Sequence, residues 1–232
     1  MKLPKIAWLA ILGVLLAAAP ALAQSYPVYD NGPINGTTDA WTINMGYIVS
    51  DTFYFGGGSF RGFAFGVWEL PGDTLNSVQW SITSGENGGT VYGSGITYNV
   101  APCVLCASGN LTDKFISTNQ YGYDIDLITA TGMYIPLTNG ARYWLNLSNA
   151  SAPSGDPIYW DENSGFGCSG SGCPSQASES AVGTIASEAF TIYGGEEGGA
   201  RGPSGPTPEP SSIMLFGSGI LGLVEVLRRK LR

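Results

Sequence analysis

Histidine is absent from all 232 residues. Without it no Ser-His-Asp or Cys-His nucleophile can be assembled, and His-ligated zinc and iron centres are excluded. Basic residues are nearly as scarce. Ten Lys and Arg stand against eighteen Asp and Glu. Six of the ten lie at the extreme ends: Lys2, Lys5, Arg228, Arg229, Lys230 and Arg232. Between Gln24 and Thr207 only Arg61, Lys114, Arg142 and Arg201 remain, against sixteen acids, a net charge of −12. A surface so poor in cations cannot hold a phosphate backbone, so nucleic acid is excluded as a partner. It suits solubility outside a cell and attracts divalent cations. Calcium is therefore an open possibility, and no other cofactor is expected. The same region has no ten-residue helical stripe. It also has no phosphate-cradling glycine motif; Gly56-Gly57-Gly58 sits between aromatic segments and reads as a turn or bulge.

What is present is alternation. Phe63, Phe65 and Val67 share one face of a period-two pattern. Val78, Trp80 and Ile82 share another, as do Tyr121, Tyr123, Ile125 and Leu127, and then Tyr143, Leu145 and Leu147. Each run reads as a half-buried strand. Further strands are predicted over 41–49, 90–100, 132–137, 158–160 and 188–193. Turn signals separate them: Leu70-Pro71-Gly72-Asp73, Gly85 to Gly89, and Thr138-Asn139-Gly140. Eight to ten short strands with regular turns predict an all-β fold, a single jelly-roll-like β-sandwich over 24–193. The stretch 194–207, rich in Gly and Pro, reads as a flexible linker.

Both ends read as targeting segments. Met1 to Lys5 is a basic leader, Ile6 to Ala19 an apolar run, and Ala21-Leu22-Ala23 a small-x-small cleavage site. Residues 1–23 are thus a signal peptide, and the mature chain begins at Gln24. At the other end, Ile213 to Val224 is twelve residues without a charge, extending to Leu227 across Glu225. With Ser211 and Ser212 it reaches the roughly 17 residues that span a bilayer. The basic cluster behind it keeps the C-terminus cytoplasmic. A hydrophobic helix is predicted here. Before it stands Pro208-Glu209-Pro210, which proline holds extended and presentable to an enzyme.

A polar Pro-Glu-Pro element, an apolar run and a basic end, in this order over 208–232, resemble the PEP-CTERM sorting signal of exosortase-bearing Gram-negative bacteria. Glu225 departs from the apolar or small residue usual in that family. The resemblance implies a sorting motif at Pro208, Glu209 and Pro210. It implies processing by a membrane-embedded cysteine transpeptidase of the exosortase type. It also implies export across the inner membrane, transient anchoring by the C-terminal helix, and delivery to the cell envelope, outer surface or extracellular matrix.

The four cysteines form two close pairs, Cys103-x-x-Cys106 and Cys168-x4-Cys173. Export makes disulfides the default. Of three connectivities, local pairing of Cys103 with Cys106 and of Cys168 with Cys173 is expected. Such short loops staple a segment rather than hold the fold.

Catalysis without histidine would need a carboxylate pair, as in glycosidases. Asp161-Glu162 and Asp124/Asp126 are the candidates. Neighbours on a strand point to opposite faces, so Asp161 and Glu162 cannot meet one substrate together. Asp124 and Asp126 share a face with the pattern of a solvent face. No enzyme is expected, and no catalytic residue is assigned. Tyr159, Trp160, Asp161, Glu162 and Asn163 combine two rings with three oxygen-bearing side chains, the chemistry that holds a sugar or calcium. Against that, Trp160 is expected inside with Tyr159 outside. The first expectation for function is a structural or adhesive surface component set in exopolysaccharide. The alternative is a lectin-like module, with or without calcium. A carboxylate-dependent glycan hydrolase stands behind both.

Overall fold

The computed structural model describes residues 25–99 and 110–195. Among these residues there is no helix, and every element is a strand. In chain order they are β1 Tyr26–Asp30, β2 Asp39–Thr42, β3 Ile48–Tyr54, β4 Ser59–Glu69, β5 Ser77–Gly85, β6 Gly88–Tyr98 and β7 Asn110–Thr118. There follow β8 Asp124–Pro136, β9 Arg142–Ser151, β10 Tyr159–Glu162, β11 Ala177–Glu179, β12 Gly183–Ile185 and β13 Phe190–Gly195. The signal peptide, most of the linker and the C-terminal segment lie outside the described residues, as do Cys103 and Cys106.

The strands form one large mixed sheet in the order β1-β13-β4-β8-β7-β6-β5-β9-β3-β11-β12. It curls into a half-barrel. Its arms, β1-β13-β4-β8 and β3-β9-β5-β6, carry the strand order of a jelly roll. With these eight strands numbered along the chain, one arm reads 1-8-3-6 and the other 2-7-4-5. The jelly-roll-like layering expected from alternation is therefore present, but the layers are not separate sheets. β7 pairs with β8 on one side and touches β6 through the single parallel pair Tyr98↔Asn110, which closes the sheet into one.

The two arms bury their aromatic faces against each other. Phe60 and Phe63 of β4 meet Trp80 of β5 with ring centroids 6.3 and 6.2 Å apart. Phe53 of β3 lies 6.3 Å from Tyr29 and 6.5 Å from Phe60. Such tilted aromatic pairs add to the area they remove from water. β4 is buried on both faces for almost its whole length. Its outer side is covered by the 31–38 loop, and a Cβ on Gly66 would come within 2.8 Å of Ile34 and 2.9 Å of Asp161.

Several strand boundaries depart from the alternation pattern. The run predicted over 41–49 is broken after Thr42 by a turn. There Met45 and Gly46 take φ of 55° and 92°, and the Tyr47 amide donates to the Asn44 carbonyl at 3.0 Å. The strand read from Tyr121 starts only at Asp124. β1, β7, β11 and β12 have no counterpart among the predicted strands, being short or, for β7, interrupted by polar residues on both faces. β13 runs two residues into the stretch read as linker.

Candidate functional site

The five residues singled out at 159–163 make up β10 and the residue after it. β10 pairs with β2 (Trp160↔Trp41) and takes up the end of the β4 edge that β13 leaves free (Trp160↔Val67). Trp160 is fully buried. Its ring sits edge-on to Phe65 at 5.9 Å and to Phe190 at 5.6 Å, and its Nε1 donates to the Ala189 carbonyl at 3.0 Å. Tyr159 is only half-buried and lies edge-on to Tyr123 at 5.7 Å. The two rings divide between inside and outside as period two requires.

The three polar side chains of the segment are occupied internally. Asp161 is fully buried and accepts three hydrogen bonds. These come from the Asn35 and Gly36 amides, each at 2.9 Å, and from Trp68 Nε1 at 2.6 Å. Burial pushes its carboxyl above the usual range, and these donors pull it back. Glu162 accepts from Trp41 Nε1 at 3.0 Å and from the Ser164 hydroxyl at 2.9 Å. Asn163 donates to the Asn31 carbonyl at 2.8 Å and accepts from the Gly165 amide at 2.8 Å. Together they clamp the 31–38 loop onto β4. Gly36 turns there with φ 62°, and a Cβ at that position would strike Ile125 at 2.8 Å.

A second polar core lies behind Trp160. Asn31 Nδ2 donates to Ser187 Oγ at 2.7 Å, to Ser175 Oγ at 2.9 Å and to the Glu188 carbonyl, with Asp51 Oδ2 at 3.4 Å. The fully buried Asp51 carboxylate accepts from the Thr52 amide at 2.7 Å and the Glu188 amide at 2.8 Å. Burial raises it to about 7 against these hydrogen bonds. Glu188 is also fully buried, and both its carboxyl oxygens lack a partner. Burial first, then Asp51, Glu162, Asp161 and Asp39, push it well above the carboxylate range. The Cys168–Cys173 disulfide forms as expected, with Cα atoms 5.7 Å apart, at the edge of this core.

The pair Asp124/Asp126 corrects the solvent-face reading. Asp126 is 5 % exposed and lies on the inner face of β8 with Ile128 and Ala130, both core residues. β8 is apolar on both faces, because Ile125 and Leu127 pack outward under the 31–38 loop. Alternation alone therefore could not tell which face turns inward. Asp126 meets Glu69 and Asp113, two acids the sequence reading did not single out. Burial first, then nearby acids, raise Glu69 to about 8 and Asp126 to about 6. On the outside, Trp68 stacks with Tyr121 at 5.8 Å and lies 6.0 Å from Tyr123, forming an aromatic ledge with Tyr159. Tyr121 is 58 % exposed. A cavity of about 280 Å³ is lined by Pro33, Ile34, Phe65, Leu127 and their neighbours, without Tyr or Trp.

Among the described residues no helix is long and apolar enough to cross a membrane. The sorting residues Pro208, Glu209 and Pro210 lie outside the described residues. No curated protein matches the chain. Residues 206–230 match the family model of the PEP-CTERM protein-sorting motif, so the chain carries the C-terminal signal of an exosortase-sorted surface protein, exported and directed to the cell envelope or surface.

Proposed function

We infer that the exported body is a structural or adhesive component of the cell surface or its exopolysaccharide matrix, and not an enzyme. The sorting motif at 206–230 carries this reading, since it sends the body to that surface. The composition agrees with it. A body with a net charge of −12 stays soluble and resists self-association outside the cell. A polysaccharide is the expected neighbour. The C-terminal apolar segment holds the chain in the membrane only until the processing enzyme cuts near Pro208-Glu209-Pro210.

Glu209→Ala is expected to leave export intact and block maturation at the C-terminus. Intact mass of the surface protein reads this directly: wild type without the basic tail, the variant with it. A wild-type protein that retains Arg232 at the surface would overturn the sorting step.

One observation favours a lectin-like role for the same body. The Trp68, Tyr121, Tyr123 and Tyr159 rings form a ledge on the outer side of the sheet, and stacked rings suit a sugar face. A glycan array of the mature protein, with and without calcium, separates this role from the purely structural one. Tyr121→Ala is expected to abolish any glycan signal and, being an exposed change, to move stability by no more than about 0.5 kcal/mol. An array that stays blank for wild type sinks the lectin-like role.

A further inference from the structure

Glu69, Asp113 and Asp126 come from three neighbouring strands, β4, β8 and β7, and converge at one end of the half-barrel. Glu69 is the last residue of β4 and continues the inward row Phe63, Phe65 and Val67. Asp126 precedes the inward Ile128 and Ala130 on β8, and Asp113 follows the inward Leu111 on β7. One carboxylate oxygen from each residue lies within 4.8 Å of the others. Glu69 has no exposed surface, and Asp126 is 5 % exposed. Neither oxygen of Glu69 has a hydrogen-bond partner, nor does Oδ1 of Asp126. Asp113 accepts from the Leu75 amide at 3.0 Å, and that same amide is the one polar group that favours the Glu69 carboxylate. The charged groups that act on Glu69 are Asp113, Asp126 and Asp73, all acids.

Three carboxylates aimed at one another in a core face, with orphaned oxygens, are costly unless something positive sits between them. We propose that the Glu69, Asp113 and Asp126 carboxylates bind a hard divalent cation, calcium in preference to magnesium. An all-oxygen set selects hard cations. Calcium holds oxygens at about 2.3–2.6 Å, so oxygens on opposite sides of the ion stand about 5 Å apart, which the cluster satisfies. Magnesium demands a tighter octahedron at about 2.0–2.1 Å and sheds its waters reluctantly. Burial also separates these acids from a glycosidase pair, whose two carboxyls must flank a bound sugar.

The bound ion would tie β4 to β7 through β8. That is the arm of the sheet that continues to β6 only through Tyr98↔Asn110. The site therefore predicts calcium-dependent stability, whatever the body does at the surface.

The test uses the full chain stripped with EGTA and titrated with calcium chloride by calorimetry, with thermal melts in parallel. One high-affinity site per chain is expected. At about 100 times Kd, calcium should favour the folded form by about 100-fold and raise the melting midpoint by roughly 5–10 °C. Magnesium at equal concentration should do markedly less. Glu69→Gln and Asp126→Asn should abolish the calcium shift. In EGTA they should melt no lower than wild type, because each replaces a buried carboxyl that is costly to ionise with a neutral amide of the same shape. Glu86→Gln, at an exposed acid in the β5–β6 turn, should keep the full response. No heat of binding and equal melts in calcium and EGTA would overturn the site. So would a calcium shift that survives in the Glu69→Gln/Asp126→Asn double variant, or an equal shift with magnesium.

Discussion

Trp160→Ala is expected to destabilise the body by about 3–5 kcal/mol, the range of large-to-small changes at buried aromatics. The ring has no exposed surface and is held edge-on by Phe65 and Phe190. The substitution also removes one of the two hydrogen bonds to the Ala189 carbonyl, the 3.0 Å bond from Trp160 Nε1, leaving the one from the Gly66 amide at 3.3 Å. The loss would spread. β10 holds β2, and Asp161 beside it fastens the Asn35 and Gly36 amides. Removing the ring loosens the clamp that covers β4. Tyr159→Ala is the matched control. Its ring is half-buried and touches Tyr123 from the outside, so its cost should be a fraction of the Trp160 value. Urea unfolding of both variants decides the matter. A Trp160→Ala protein with the wild-type midpoint, beside a Tyr159→Ala protein that unfolds early, would reverse the placement of the two rings.

The second large effect is on pH. Stability should fall as pH rises from about 4 to about 7. Asp51 sits at about 7 in the folded chain, against about 3.9 when unfolded. Between those values the folded chain holds a proton that the unfolded chain has released. More protons are thus bound to the folded state, and the slope of unfolding free energy with pH is negative. The contribution is intact below the unfolded value and is lost as pH passes the folded one. For Asp51 alone the loss is on the order of 4 kcal/mol, at about 1.36 kcal/mol per unit. Glu188 acts in the same direction. The groups facing the pair are Tyr29, Ser175 and Asn31 around Asp51, and Asp39, Asp161 and Glu162 around Glu188. None of these is a cation. Urea midpoints from pH 4 to 8, in EGTA to keep any metal out, should trace the decline, and Asp51→Asn should make it shallower. A wild-type midpoint that climbs across this range would refute the assignment.

How much of this was legible in the sequence can be read residue by residue. The placement of Trp160 inside and Tyr159 outside followed from period two, while the rings that receive Trp160 (Phe65 and Phe190) were set by the sheet. The pairing of Cys168 with Cys173 followed from their spacing and an oxidising destination. The all-β class followed from alternating runs and the turn residues between them. β7 was missed because its residues alternate poorly, and its strand exists only through pairing with β8. Glu188 carried no local signal. Its burial comes from the bridge it makes with Glu162 across 26 positions of chain.

The sequence alone determined where this protein goes and what class of fold it takes. A sorting signal is read in extended form by an enzyme, so its information is linear, and alternation is a property of neighbouring residues. Only the tertiary structure decided which acids meet. Residues 69, 113 and 126 converge because β4, β8 and β7 are adjacent in the sheet, an order set by long-range pairing rather than by any local pattern. It also decided that the Asp161 and Asn163 side chains hold the 31–38 loop. β10 lands on the free end of the β4 edge, where the loop's amides need acceptors out of reach of water.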